Sequence, residues 1–333
     1  MTVPTLPAID LHSHVFPDRL DPVLSLLPPE WNAPSLWREL REQVRGWTGP
    51  LVRGIHRAQP TVRHFPKSVR LSIDELTGTF TLPSLLVEST LPDLLQRMEE
   101  AGIQKAVVVA QAPFASNEFV LEAAEESDGR LIPAVNFGPS EDRPALAFGK
   151  AVTRGARFLK IHPAADGENA DSPRYLALLR KAADLGVPVI LHTGCLQSHL
   201  IYRSPELGDP RHFEAWFRRF PHVTFVLAHL GFHDPKGALE LAARYENLLL
   251  ETSWQPAEII GEAVRLVGAE RVVFGTDWPF IGDNFRIGLE RLERAGESDG
   301  LSREQLEQIA FRNALRLLGE IESRLKEPEL AAT

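Results

Sequence analysis

Seven short apolar runs, each closed by a polar residue, constrain the fold of this chain more than any other feature. They are Ala106–Ala110, Leu131–Val135, Phe158–His162, Val187–His192, Val223–His229, Asn247–Thr252 and Val272–Asp277. Runs this short and this apolar read as strands buried on both faces. Between them lie stretches with helical spacing, such as Leu91–Gly102, stopped by its glycine, Tyr175–Leu185 and Ala257–Val264. The segment Ala8–His14 supplies an eighth strand near the start. Strands alternating with helices imply a parallel sheet. Eight such units in 333 residues imply a closed (β/α)₈ TIM barrel, an α/β fold in one domain spanning 1–333. A doubly wound open sheet is the alternative, but no Gly-x-Gly-x-x-Gly follows the first strand.

One part breaks the pattern. Residues 16–84 carry Pro28, Pro29, Pro34, Pro50, Pro60 and Pro66 and three of the six tryptophans, Trp31, Trp37 and Trp47. Proline and glycine at that density argue against long regular elements, apart from a short helix over 35–46. A long irregular insertion after the first strand is expected to act as a lid or binding loop. Eight cations fall between Arg38 and Arg70 against two anions, a local balance of +6 in a chain of net charge −9. A solvated basic surface explains such a run, and so does a grip on an anionic substrate, with Arg53 and Arg57 the candidates. Exposed tryptophans in the insertion would also make it a homodimer interface. At the other end, residues 302–326 read as helices packed on the outside.

Whole-chain properties narrow the class. The acidic balance argues against nucleic acid as a partner. A single cysteine, Cys195, excludes an intrachain disulfide and fits a reducing compartment. No leader-like segment precedes the first strand, and no run of about 18 apolar residues is present to span a membrane. A cytoplasmic enzyme acting on a small molecule is expected.

In a barrel of this kind, reactive groups sit at the C-terminal ends of the strands. Those ends carry His12 and His14, Lys160 and His162, His192, His229, Glu251 or Thr252, and Asp277. Asp10, His12 and His14 lie two apart, so on an extended strand they share one face, with Ile9, Leu11 and Ser13 opposite. A single histidine at a strand end is commonly structural. Five of eleven histidines at one rim, joined by a carboxylate, point to a metal centre.

The motifs Asp10-Leu11-His12-Ser13-His14, Lys160-Ile161-His162-Pro163, Leu191-His192-Thr193-Gly194, Ala228-His229-Leu230-Gly231 and Gly275-Thr276-Asp277-Trp278-Pro279 resemble those of the amidohydrolase superfamily. They are most similar to its amidohydrolase-related branch, which includes aminocarboxymuconate semialdehyde decarboxylase, aromatic-acid decarboxylases and lactone hydrolases. The resemblance spans residues 8 to about 319. It implies that His12, His14, His192 and Asp277 hold one divalent metal, zinc by preference, and that His229 stands beside it as a proton-transfer or electrostatic group. Asp277 would also be catalytic, as a proton acceptor. Asp10 would be a supporting carboxylate rather than a ligand. Lys160, His162 and Trp278 join Arg53 and Arg57 as candidate substrate contacts.

Other branches carry a carbamylated lysine at the end of strand four, bridging two metals. A second metal on a carbamylated Lys160 is therefore the alternative to the single ion. Cys195 has no base nearby in sequence and reads as a bystander. The resemblance implies hydrolysis of an ester, lactone or amide in a small, carboxylated substrate. The alternative is non-oxidative decarboxylation of an aromatic or muconate-type acid, although Glu does not open the first motif as it does in many aromatic-acid decarboxylases. A non-catalytic ligand-binding barrel is a minor third reading.

Overall fold

The computed structural model describes residues 6–17, 57–85, 90–112, 114–199, 201–280 and 284–326, with isolated positions at 43, 46, 50, 54 and 55. Arg53, the three insertion tryptophans, Arg38, Arg41 and Arg45 lie outside the described residues, as does most of the helix expected over 35–46.

The strands are β1 (Ala8–Ser13), β2 (Ile103–Val109), β3 (Leu131–Asn136), β4 (Phe158–Ile161), β5 (Val189–His192), β6 (Phe225–Ala228), β7 (Leu248–Glu251) and β8 (Val272–Val273). They pair in parallel and in sequence order, one eight-stranded sheet. The sheet curls back on itself. Leu11 N–H donates to Phe274 O, Asp277 N–H to His12 O and His14 N–H to Trp278 O, at 2.7–2.9 Å, joining β1 to the segment after β8. The barrel expectation holds.

Two apolar layers follow from this closure. Inside the barrel, Ile9, Leu11, Val107, Ile132, Phe158, Ile190, Val226, Leu249 and Val273 pack together. Ala314, Leu317 and Ile321 of the C-terminal helix join them as a plug at one end. Alternate strand residues, including Ala106, Val108, Leu159, Leu191 and Leu250, face the surrounding helices. Burial on both sides is why the strands read as unbroken apolar runs. Each fully buried aliphatic side chain contributes on the order of 1.5–3 kcal/mol. Among the helices, α2 (Leu91–Ala101) has a capping box between Thr90 and Asp93 and ends on Gly102 in the left-handed conformation, φ 73°. Among the described residues, no helix is long and apolar enough to cross a membrane.

Two expectations need correction. The insertion contains a long helix, α1 (Lys67–Leu85). Pro66 stands just before it and no other proline occurs until Pro83, so sixteen intervening residues were free to propagate a helix. The strict alternation along β1 also fails. The β1–β2 register shifts between Asp10 and Ser13. Leu11 remains in the barrel interior, yet the next side chain, His12, reaches Lys160 and Glu251. Asp10 is left among Ser13 and Thr276. One extra residue in the ladder accounts for this change of side.

Candidate metal centre

Two strand ends, those of β1 and β8, bring ligand-type atoms together at one rim. His14 Nε2 lies 3.1 Å and His12 Nε2 3.6 Å from Asp277 Oδ1. All three residues are buried, and their ligand atoms lie within 4.8 Å of one another. Asp277 is held at φ 61°, a conformation unfavourable for a residue with a Cβ. Its other oxygen accepts the Trp254 indole N–H at 2.8 Å. Asp10 lies behind this group and accepts His12 N–H, Ser13 Oγ–H and both Thr276 N–H and Oγ–H, at 2.5–3.1 Å. It therefore braces β1 against the segment after β8.

His192 enters from β5. Its ring stacks on His162 with centroids 3.6 Å apart, and its Nδ1 lies 3.3 Å from His229 Nε2. Its Nε2 is buried and has no hydrogen-bond partner among the described residues. A buried polar atom in that state costs about 1–3 kcal/mol unless something binds it. A metal ion is such a partner, so the donor set fits a cation. A second cluster, His12, His229 and Glu251, has the spacing of a ligand set as well. Its atoms are already bonded to one another through Ser253, however, which makes it a hydrogen-bonded layer behind the first.

The loops that carry these groups are tightly constrained. His229, Leu230 and Phe232 all have positive φ, at 60°, 46° and 52°. Gln255 holds that turn by donating to His229 O and Phe232 O, at 2.6 and 3.1 Å. Gly194 packs against it so closely that a Cβ would fall 2.3 Å from the Gly231 carbonyl. Backbone strain concentrated at one rim is the pattern of a functional site. On the outer side, α1 docks onto the loop after β5. Buried Asp74 accepts Gln197 N–H at 3.0 Å and His233 Nε2–H at 2.9 Å, and Glu75 accepts Ser198 Oγ–H at 2.6 Å.

Burial holds the imidazoles of His12, His162 and His192 well below their usual pKa, with Lys160 adding to the effect. His229 is pushed down to about 3 by burial. Neutral imidazoles are the form that binds metal or takes a proton. Burial acts against the charge on Asp277, but His229, His12 and His14 beside it hold its carboxyl well below the usual range. Burial lowers Lys160 to about 8, against the pull of Asp277 and Glu251, and its Nζ lies 3.0 Å from His12 Nε2.

A cavity opens above this group. His14, Lys160, His162, His192, His229 and Asp277 form its polar floor, and Phe114, Leu196, Ile201, Phe232, Trp254 and Phe280 its walls. Lys160 is the only lysine or arginine among the described residues lining it. Arg57 is elsewhere, half-exposed on a salt bridge to Glu290 at 3.2 Å. Its length and flexibility let it reach outward to a surface partner rather than inward. Trp278 is not a cavity residue either. Its indole is 1% exposed and stacks on Phe285, so this position contributes backbone to the rim and an aromatic ring to the core. Cys195 lines the cavity but is buried, and burial pushes its thiol up, out of the reactive range.

Residues 87–319 match the family model described as amidohydrolase. This chain belongs to the amidohydrolase family. It is 28% identical over 251 residues to decarboxylase orsB of Emericella nidulans, covering 61% of this chain and 74% of that one. To the 4-sulfomuconolactone hydrolase of Hydrogenophaga intermedia it is 24% identical over 252 residues, covering 70% and 80%. A TIM-barrel protein of uncharacterised function from Bordetella bronchiseptica superposes with a TM-score of 0.63 at 22% identity, over 74% of this chain and 91% of that one. That last likeness concerns the fold alone.

Several participants were not singled out from the sequence. In the sequence Glu251 reads only as a polar strand end. Ser253, Trp254 and Gln255 carry no signal, because their roles depend on contacts between different strands. For Glu251 a signal did exist. An acidic side chain closing the apolar run Leu248-Leu249-Leu250 must be buried, and a buried carboxylate needs donors.

Proposed function

We propose that this amidohydrolase is a hydrolase that uses one divalent metal, zinc by preference, to cleave an ester, lactone or amide bond in a small anionic substrate. His12, His14, His192 and Asp277 would hold the ion, a set of imidazoles and a carboxylate that suits zinc. A bound divalent cation supplies Lewis acidity and makes water nucleophilic near neutral pH. His229, neutral and buried beside the ligand set, can take a proton during attack and return it to the leaving group. Lys160 and His162 offer N–H donors to a substrate oxygen from the cavity floor. The apolar walls favour a planar or ring-bearing body and exclude water from it. Convergence of the His12, His14 and Asp277 ligand atoms next to neutral His229 is the observation that carries this reading.

Decarboxylation is the second reading. It draws support from the aromatic character of the cavity, with Lys160 as its one lysine or arginine, and from the likeness to decarboxylase orsB. One experiment separates the two. Zinc-loaded protein is incubated with lactones, esters, amides and hydroxybenzoates while acid and carbon dioxide release are both followed. Hydrolysis is expected to appear as acid without carbon dioxide. Carbon dioxide as the sole gain would overturn the hydrolase reading.

Metal number gives an independent check. The second cluster, His12, His229 and Glu251, is closed by its own hydrogen bonds, and Lys160 Nζ, 3.0 Å from His12 Nε2, would give that lone pair up to a single bound ion. One equivalent of metal per chain is therefore expected both in the unaltered protein and in Lys160→Met. Two equivalents, with one lost in the variant, would instead support a carbamylated lysine bridging two ions.

A further inference from the structure

We propose that Glu251, acting through Ser253, fixes which ring nitrogen of His229 carries its proton, and through His229 fixes the same choice in His192. Both side chains are positioning residues for the metal set and base proposed above.

The proton assignments follow from donors and acceptors. Glu251 is 0% exposed, and its Oε2 receives three contacts: His12 Nδ1 at 3.2 Å, His229 N–H at 3.0 Å and Ser253 Oγ at 2.8 Å. Its Oε1 accepts Ser253 N–H. Backbone N–H donors on both of its oxygens, from His229 and Ser253, hold the group as a carboxylate, which cannot donate. Ser253 must then give its hydroxyl proton to Glu251, or two sets of lone pairs would face each other across 2.8 Å. That leaves the Ser253 oxygen as an acceptor toward His229 Nδ1, 2.6 Å away. His229 is therefore protonated on Nδ1 and bare on Nε2.

The same logic runs one ring further. His229 Nε2 lies 3.3 Å from His192 Nδ1, so that contact needs the proton on His192 Nδ1. His192 Nε2 then carries a bare lone pair, and that buried atom has no partner among the described residues. His12 gives its Nδ1 proton to Glu251 directly, so its Nε2 is bare as well, and Lys160 donates to that atom. His14 stands outside this relay: it donates from Nδ1 to Val109 O at 3.1 Å, and its Nε2 faces Asp277 Oδ1 at 3.1 Å. His162 is the exception. Its Nδ1 accepts Ala165 N–H at 3.2 Å, which puts its proton on Nε2. One carboxylate thus sets the polarity of three imidazoles, His12 by contact and the other two through a serine hydroxyl.

Nitrogen NMR tests this without reference to substrate. The protein is labelled with ¹⁵N-histidine, and long-range ¹H–¹⁵N correlations are recorded on the metal-free form. Single histidine replacements assign the signals. His12, His192 and His229 should show the Nδ1–H pattern, and His162 the Nε2–H pattern. In Ser253→Ala, His229 should change to the Nε2–H or a mixed pattern, and Ser253→Thr should restore Nδ1–H. An Nε2–H pattern for His229 in the unaltered protein would overturn the proposal. So would an unchanged Nδ1–H pattern in Ser253→Ala. On a substrate found by the panel, Ser253→Ala should lower kcat about 10- to 100-fold with KM and metal content kept, and the threonine variant should recover it. Failure of every panel substrate would count against the hydrolase reading and leave the NMR result intact as the test of this one.

Discussion

His229→Ala should keep its metal and lose turnover by about 10²- to 10⁴-fold, the range expected when a positioned acid–base group is removed. His229 is not at the convergence point of His12, His14 and Asp277. Its Nδ1 is engaged by Ser253 and its Nε2 is turned toward His192, beside the ligand set rather than within it. Burial that pushes it down to about 3 keeps it neutral throughout the working range, so its Nε2 can accept a proton in exchange for the long contact to His192 Nδ1. No His229 limb is therefore expected in the pH profile of kcat above that value. Metal analysis after exhaustive dialysis, paired with kcat, reads the outcome. Loss of metal together with turnover would place His229 among the ligands, and turnover close to that of the unaltered protein would remove it from the chemistry.

The parts of this site that were legible in the sequence are those determined along a single strand. An apolar run closed by histidine or aspartate shows both that a strand is buried and which of its residues reaches the rim. Repeating that reading around the barrel assembled His12, His14, Lys160, His162, His192, His229 and Asp277 in one place. What failed depended on relations between strands or on the far end of a side chain. The shift in β1 turns Asp10 away from His12, although their spacing suggests a shared face. It reflects pairing with β2 and leaves no trace in the residue pattern of β1 itself. Trp278 adjoins a rim residue in sequence yet packs into the core, because Asp277 at positive φ redirects the chain between them. Arg57 has the charge to bind an anion, but Glu290, 233 positions away, is where its guanidinium lies. Charge composition identified a basic segment. It carried no information on which cation faces inward.

His192→Ala offers the sharpest test of the ligand set, because the two roles open to this residue predict opposite results. As an ordinary core residue, its unpartnered Nε2 is a liability. Deleting it would relieve an unsatisfied buried group, but it would also open a small cavity and take the partner of His229 Nε2. The metal-free variant should therefore melt modestly below the metal-free parent. As a ligand, the same atom contributes only when the ion is present. A ligand that binds the folded state alone stabilises it by about 4 kcal/mol at a thousandfold excess over Kd. The parent should show a large rise in Tm on adding zinc, whereas His192→Ala should show little or none and should fail to retain metal through dialysis. His12→Ala is expected to behave likewise in metal retention, but it also strips Glu251 and Lys160 of a partner, so its metal-free form should melt lower. A zinc-induced rise in Tm that survives intact in His192→Ala would exclude this residue from the ligand set and leave His12, His14 and Asp277 to hold the ion.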